Sequence, residues 1–292
     1  MCDQDSFPAA SAKTLSRRQF GLAGATAAAG TLAACAPMAG SNKTKSAGLS
    51  ESAVSIATED GTMDAFFVYP ASGDHPAIII WPDIASLRNA FRMMARRLAG
   101  EGYAVLVANP YYRDVPKDQF ADFAAFRSGG GFDKVGPWRD KLSSSAIMRD
   151  ATSLVRWLDR QDAVDTSSGI GTQGYCMGGS FTVYSASAVP GRIKAAASFH
   201  GGGMVRDDED SPHTLMQSGD AAYLIAIAKN DDAKDPESTA TLKQVAAMDG
   251  VTAEVEVYAG DHGWTVLDSP AYDKPAAERA WSRMLALYSA AL

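Results

Sequence analysis

Three side chains in this sequence have the types and the order of a covalent hydrolytic apparatus. Cys176 lies in Gly174-Tyr175-Cys176-Met177-Gly178-Gly179, where an apolar run turns directly into a helical pattern. Small residues two before and two after a nucleophile permit the sharp strand-to-helix turn that lifts its side chain above a sheet. This is the nucleophile-elbow pattern with Cys in place of Ser. A helix N-terminus also favours the thiolate, because its unsatisfied N–H groups and dipole stabilise negative charge. The bland alternative is a buried cysteine packed between glycines. A thiol at its ordinary pKa of about 8.5 is only a few per cent ionised at neutral pH, so it needs a base. With four histidines in the chain the candidates are few. His262, in Gly260-Asp261-His262-Gly263-Trp264, follows the last strand-like run, and Asp231, in Lys229-Asn230-Asp231-Asp232, follows the run before it. Asp232 and Asp261 compete with Asp231 as the orienting acid, and acidic loop residues are commonly just solvated. The order nucleophile, acid, histidine differs from the orders found in trypsin-like and subtilisin-like proteases. His75 precedes a strand at the opposite edge, His213 lies in a polar loop, and His200 sits at a strand end near the site but ahead of the acid.

Such residues need a scaffold that delivers three loops to one edge. Residues 53–58 and 62–69 are strand-like and are joined by Glu59-Asp60-Gly61, a hairpin signal. Ala77-Ile78-Ile79-Ile80-Trp81 is a continuous apolar run, as in strands buried on both faces. A helix is predicted from about Ser86, with Leu87, Phe91, Met94, Ala95 and Leu98 on one face, followed by a strand over Tyr103 to Ala108. Residues 109–143 read as an excursion holding at most one short helix, and such excursions often cover active sites. Beyond it come a helix from about Ser145 to Arg160, strands at 169–175, 193–199, 221–228 and 252–258, and helices near 178–188, 236–248 and 274–291. This alternation predicts an α/β fold, with a mostly parallel central sheet, helices on both faces and an N-terminal β-hairpin. Sites in such sheets gather at the carboxyl ends of the strands.

Composition narrows the function classes. A chain of 292 residues with 46% hydrophobic and 21% charged residues is neither disordered nor collagenous nor a coiled coil. Net charge −7 gives no general attraction to nucleic acid or anionic lipid. Gly169 to Gly174 satisfies G-x-G-x-x-G, yet its glycines lie inside a strand, so dinucleotide binding is rejected. His200-Gly201-Gly202-Gly203 imitates an esterase oxyanion motif but lies downstream of the nucleophile, and reads as a site wall. Metal and phosphate motifs are absent, and no cofactor is expected.

The front of the chain reads as an address. Ser16-Arg17-Arg18-Gln19-Phe20-Gly21-Leu22 precedes an apolar run of about a dozen residues, shorter than the roughly 18 needed to span a bilayer. It resembles a twin-arginine export signal, and Leu32-Ala33-Ala34-Cys35 resembles the site where a bacterial lipoprotein is cut and lipidated. The expected organisation is a signal peptide over 1–34, a flexible tether over 35–52 and a single α/β domain over 53–292. The expected location is the periplasm, or a membrane to which lipidated Cys35 anchors the protein. With Cys2 discarded and Cys35 lipidated, Cys176 is then the remaining cysteine of the exported body, exposed to oxidation unless it is buried.

GYCMGG at 174–179, AKND at 228–231, DHGW at 261–264 and the stretch from Trp81 to Arg113, including NPYYR at 109–113, together resemble the dienelactone hydrolase family of α/β-hydrolases. The similarity spans residues 53–292. It implies hydrolysis of a small-molecule ester or lactone by a triad of Cys176, His262 and Asp231. It also implies oxyanion donors at the Met177 and Ile84 N–H groups, and an acid, Asp83, that contacts the resting thiol where Glu is often found. Family enzymes that act on dienelactone bind its carboxylate through arginines, one of them four positions after the catalytic histidine, where this chain has Val266. Arg113, Arg127 or Arg139 would have to substitute. Arg113, Tyr111, His200 and Trp264 are the candidate substrate contacts. Thioester or polyester hydrolysis, and an envelope binding lipoprotein without turnover, remain the alternative readings.

Overall fold

Two five-residue strands, AIIIW and AVLVA, are apolar at every position because both of their faces are covered. The computed structural model describes residues 44–46 and 48–292; the signal-peptide reading, Cys35 and the tether up to residue 43 fall outside the described residues. In chain order the elements are β1 (Thr44–Ser46), β2 (Leu49–Thr58), β3 (Gly61–Pro70), β4 (Ala77–Trp81), α1 (Asn89–Gly100), β5 (Ala104–Ala108), α2 (Phe123–Ser128), α3 (Gly131–Arg139), α4 (Ser144–Leu158), β6 (Ile170–Tyr175), α5 (Met177–Ala188), β7 (Ile193–Phe199), α6 (Pro212–Leu215), β8 (Ala222–Ala228), α7 (Lys229–Lys234), α8 (Pro236–Ala246), β9 (Thr252–Tyr258) and α9 (Lys274–Ala291). The strands form a nine-stranded sheet in the order β1-β2-β3-β5-β4-β6-β7-β8-β9. The first three strands and the β3–β5 pair are antiparallel, and every pairing from β5 to β9 is parallel. This is an α/β-hydrolase architecture with the expected N-terminal hairpin.

Helices α1 and α9 cover one face, packing Phe91, Met94, Leu98, Met284 and Tyr288 around Ile78, Ile80 and Val105. Helices α4, α5 and α8 cover the other, where Ile147, Leu154, Phe181 and Leu242 meet Ile79, Leu106 and Ile225. The chain therefore leaves β4 toward β5 and leaves the adjacent β6 toward β7, on opposite sides. Where connections diverge in this way, the carboxyl ends of the two neighbouring strands open a crevice.

Three sequence expectations are corrected here. The tether is too long: β1 pairs with Leu49–Glu51, and β2 pairs with β3 through all ten of its positions, so residues 49–52 belong to the sheet. Its polar, small-residue composition concealed the edge strand β1 and the first residues of β2. Helix α1 starts at Asn89 and not near Ser86, because Ser86 is held at φ 65° in a turn that the Asp83 carboxylate and carbonyl close onto the Ala85 and Ser86 N–H groups. The 109–143 excursion holds two helices. An Asp122 cap on the Ala125 N–H (2.7 Å) starts α2, and tertiary contact among Phe120, Phe123, Phe126 and Phe132, with ring centroids 4.7–5.4 Å apart, supplies the stability that short helices lack alone.

Candidate active site

Cys176 stands between the last residue of β6 and the first of α5 with φ 53° and ψ −114°, a conformation that costs an L-residue about 1–3 kcal/mol. Its backbone is held in place on two sides. The Cys176 N–H donates to Phe199 O (3.0 Å), and its carbonyl accepts from Gly179 N–H (3.0 Å) and Gly202 N–H (3.2 Å). The glycines of the elbow are needed for close approach: a Cβ on Gly174 would overlap Gly178 O, and a Cβ on Gly178 would run into the carbonyls of Trp81 and Pro82. The loop that leaves β4 is thereby pressed against the first turn of α5. Among the described residues, the N–H groups of Ile84 on that loop and Met177 on that turn donate to no protein acceptor. Cys176 is 1% exposed. Its sulfur is disulfide-bonded in the structure, and it is the only cysteine among the described residues. Thiol chemistry at this position belongs to its reduced form.

His262 follows β9 and is buried. Its Nδ1–H donates to Asp231 Oδ2 at 2.6 Å, and its backbone N–H donates to Asn230 Oδ1 at 2.8 Å. A third tie, from Lys229 N–H to Gly260 O (3.0 Å), fastens the start of α7 to the histidine loop. Of the competing acids, Asp231 meets the imidazole, and Asp261 turns to Lys229 Nζ (3.5 Å). His200, after β7, bridges the two halves. Its ring centroid is 4.9 Å from that of His262, and its Nε2 lies 2.8 Å from Thr265 Oγ1. Complete burial, and then the charge of His262, push its pKa well below the usual imidazole value, so it stays neutral. A cavity of about 430 Å³ opens beside both rings, between β8, α8 and the glycine-rich loop after His200.

Other candidate residues are placed differently from expectation. Asp83, expected to contact the resting thiol, is engaged by a cation. Its two oxygens receive Arg88 Nη1 (2.7 Å) and Nη2 (2.9 Å), because the shorter Asp side chain is captured by a guanidinium five residues on. Arg113 is no substrate contact: it is ion-paired with both Asp60 (2.7 Å) and Asp150 (2.8 Å), clamping the hairpin to α4. Trp264 is fully buried behind His200 and stacks on Tyr258 at 4.8 Å, packing the wall without lining the cavity. Tyr111 lies beneath the loop after β4, with its hydroxyl donating to Ile84 O (3.0 Å) and touching Met177 Sδ (3.3 Å), so it supports these backbones from below.

The sequence reading missed Arg88. This fully buried cation joins Asp83 on the loop after β4 to Asp268 on the histidine loop (2.7 Å), and Asp268 also accepts from Phe123 N–H (3.0 Å). Burial opposes its charge, but the two carboxylates outweigh that cost and hold it protonated. A signal was present: a cation at a helix N-terminus is unfavourable there unless acids compensate it.

The model of the dienelactone hydrolase family matches residues 63–292. A curated relative in Escherichia coli strain K12, named "Putative carboxymethylenebutenolidase", is 27% identical over 237 residues, 79% of this chain and 83% of its own. Among solved structures, the "Putative Dienelactone Hydrolase" of Klebsiella pneumoniae subsp. pneumoniae MGH 78578 superposes with a TM-score of 0.70 at 23% identity, over 82% of this chain and 98% of that one. A "Dienelactone Hydrolase-like Promiscuous Phospotriesterase" from metagenomic libraries gives 0.63 at 23% identity, over 82% and 98%. At these identities the solved structures speak for the fold, while the match to the family model spans most of the sheet and the whole edge that bears Cys176, Asp231 and His262. The chain is therefore a hydrolase that belongs to the dienelactone hydrolase family of α/β-hydrolases.

Proposed function

We propose that the protein cleaves carboxylic esters or lactones through an acyl-thioenzyme, with Cys176 as nucleophile, His262 as base and Asp231 as the acid that orients the imidazole. The observation that carries this reading is the 2.6 Å hydrogen bond from His262 Nδ1 to Asp231 Oδ2, at the sheet edge where Cys176 occupies its strained turn. That bond leaves Nε2 to take the thiol proton. The thiolate adds to the carbonyl carbon, and the oxyanion is received by the Ile84 and Met177 N–H groups, each worth on the order of 3 kcal/mol. Collapse breaks the C–O bond, and the leaving alkoxide takes the proton from His262. Water then gives a proton to His262 and adds to the thioester, releasing the acid and returning the thiol. In a lactone the leaving hydroxyl stays on the product, which is the ring opening that the name of the Escherichia coli relative describes.

Hydrolysis of p-nitrophenyl esters by the reduced protein tests the reading. Cys176→Ala should lower kcat/KM at least a thousandfold, and Asp231→Asn about a hundredfold or more, whereas Asp232→Asn should stay near the wild type. An alkylating agent should abolish turnover at one equivalent per chain. Retention of activity in Cys176→Ala would sink the mechanism.

We also infer export through the Arg17-Arg18 signal and lipidation on Cys35, on the sequence alone. Fractionation checks this: Cys35→Ala should move the protein from the membrane pellet to the soluble periplasmic fraction. A wild-type protein already soluble in the cytoplasm would refute it.

A further inference from the structure

The cavity beside His262 has two kinds of wall. Its inner part is aliphatic: Ile225 and Ile227 from β8, Leu242 from α8, and Met204 and Val205 from the loop after β7. Ile225, Leu242 and Met204 are packed into the core and show only their edges to this cavity, beside the half-buried Ile227 and Val205, so the side chains offered on this side are apolar. Its charged groups lie on α7 and at the start of α8, where Lys234 is the only cation among the described lining residues and stands with Asp231 and Asp235. The charge facing a guest is therefore acidic on balance, and no arginine is among these lining residues. Arg206, on the loop that supplies Met204 and Val205, is ion-paired with Asp208 (3.1 Å) and Asp210 (2.8 Å) and donates to the Tyr184 hydroxyl (2.5 Å).

Resting on the ester-hydrolase reading above, the geometry points to a neutral ester of a medium-length aliphatic acid as the substrate class, with its hydrocarbon chain against Ile225, Ile227 and Leu242. A cavity of about 430 Å³ is of small-molecule size. Each methylene laid on the aliphatic wall leaves water, and extra methylenes in such a pocket are worth roughly tenfold or more in discrimination. A carboxylate at the far end of the same chain would lose that gain. It would be stripped of water against an apolar wall, or meet Asp235.

Two substrates of equal length isolate the claim: p-nitrophenyl hexanoate, and mono-p-nitrophenyl adipate, which differs by a terminal carboxylate. Reduced protein should favour hexanoate over adipate, and hexanoate over p-nitrophenyl acetate, by at least tenfold in kcat/KM. Leu242→Trp should lower the hexanoate-to-acetate ratio at least tenfold. Because it is a ratio within one preparation, loss of folded protein does not move it. Asp235→Asn keeps an oxygen for the Ser238 N–H cap (3.1 Å) and should raise adipate relative to hexanoate severalfold. Adipate turned over as fast as hexanoate, or a chain-length ratio that Leu242→Trp leaves in place, overturns the substrate class while leaving the mechanism standing. Hydrolysis of none of the three overturns the mechanism and this inference with it.

Discussion

His200 is held at φ 41°, a conformation that only the surrounding bonds sustain, with its N–H on Ala226 O and its Nε2 on Thr265. Its other ring nitrogen, Nδ1, is buried without a protein partner among the described residues. The folded protein therefore resists protonating this ring, while the unfolded chain takes up a proton below the ordinary histidine pKa of about 6.5. The sign follows: the contribution of neutral His200 to stability is complete above that pH and is lost as pH falls through it, by up to about 1.4 kcal/mol per pH unit. Calorimetry should show the wild-type Tm dropping between pH 7 and 5. His200→Gln should unfold with a visibly shallower dependence over the same interval, and an unchanged slope would mean that His200 does not stay neutral. At this scale the sequence was informative about type and order. Cys176, His262 and the pair Asp231-Asp232 were all legible from spacing, but a shift of one residue in the acid was not, because it turns on which side of one helical turn faces the imidazole.

The elements carry a coupling that no motif announced. The loop after β4, the histidine loop after β9 and the start of α2 all meet on the Arg88–Asp268 pair. Removing one partner of a buried ion pair leaves the other charge stranded, at a cost of roughly 3–5 kcal/mol where burial is complete. Asp268 is partly exposed, so Asp268→Asn should fold with a reduced Tm. Its kcat should drop about tenfold with KM nearly unchanged, since the loops bearing Ile84 and His262, the proposed donor and base, lose a shared anchor and small displacements of such groups are expensive. Steady-state kinetics on one p-nitrophenyl ester decides this, and a rise in KM alone would assign Asp268 to substrate binding instead. Strands and the long helices were legible at nearly their true ends, as in β7 and β9, because period and apolar runs are local properties. Helices α2 and α3 were not, since their stability comes from an aromatic cluster assembled across the excursion.

At the scale of the whole molecule, the sheet extends further toward the N-terminus than composition suggests. Glu51 on β2 forms a two-pronged ion pair with Arg96 of α1 (2.6 and 3.0 Å), and the guanidinium's hydrogen bonds hold its carboxyl below the usual range. A chain beginning at residue 53 loses this pair and the last rungs of the β2–β3 ladder. Its Tm should be about 5 °C or more below that of a chain beginning at residue 44, measured by thermal melting. Equal melting points would return residues 44–52 to the status of a tether.

What the amino-acid sequence determined by itself is the alternation of strands and helices, the strand-to-helix turn at Cys176 and the family to which the chain belongs. All of these depend on residues near one another in the chain. Tertiary structure alone decided which charges neutralise each other. Asp83 went to Arg88 and Arg113 to Asp60 and Asp150, across separations of up to 53 residues, and the Asp231 carboxylate likewise went to the His262 ring. A carboxylate attracts any cation within reach, so its partner is chosen by the packing that brings one of them close and buries the pair, and that packing is a property of the whole sheet.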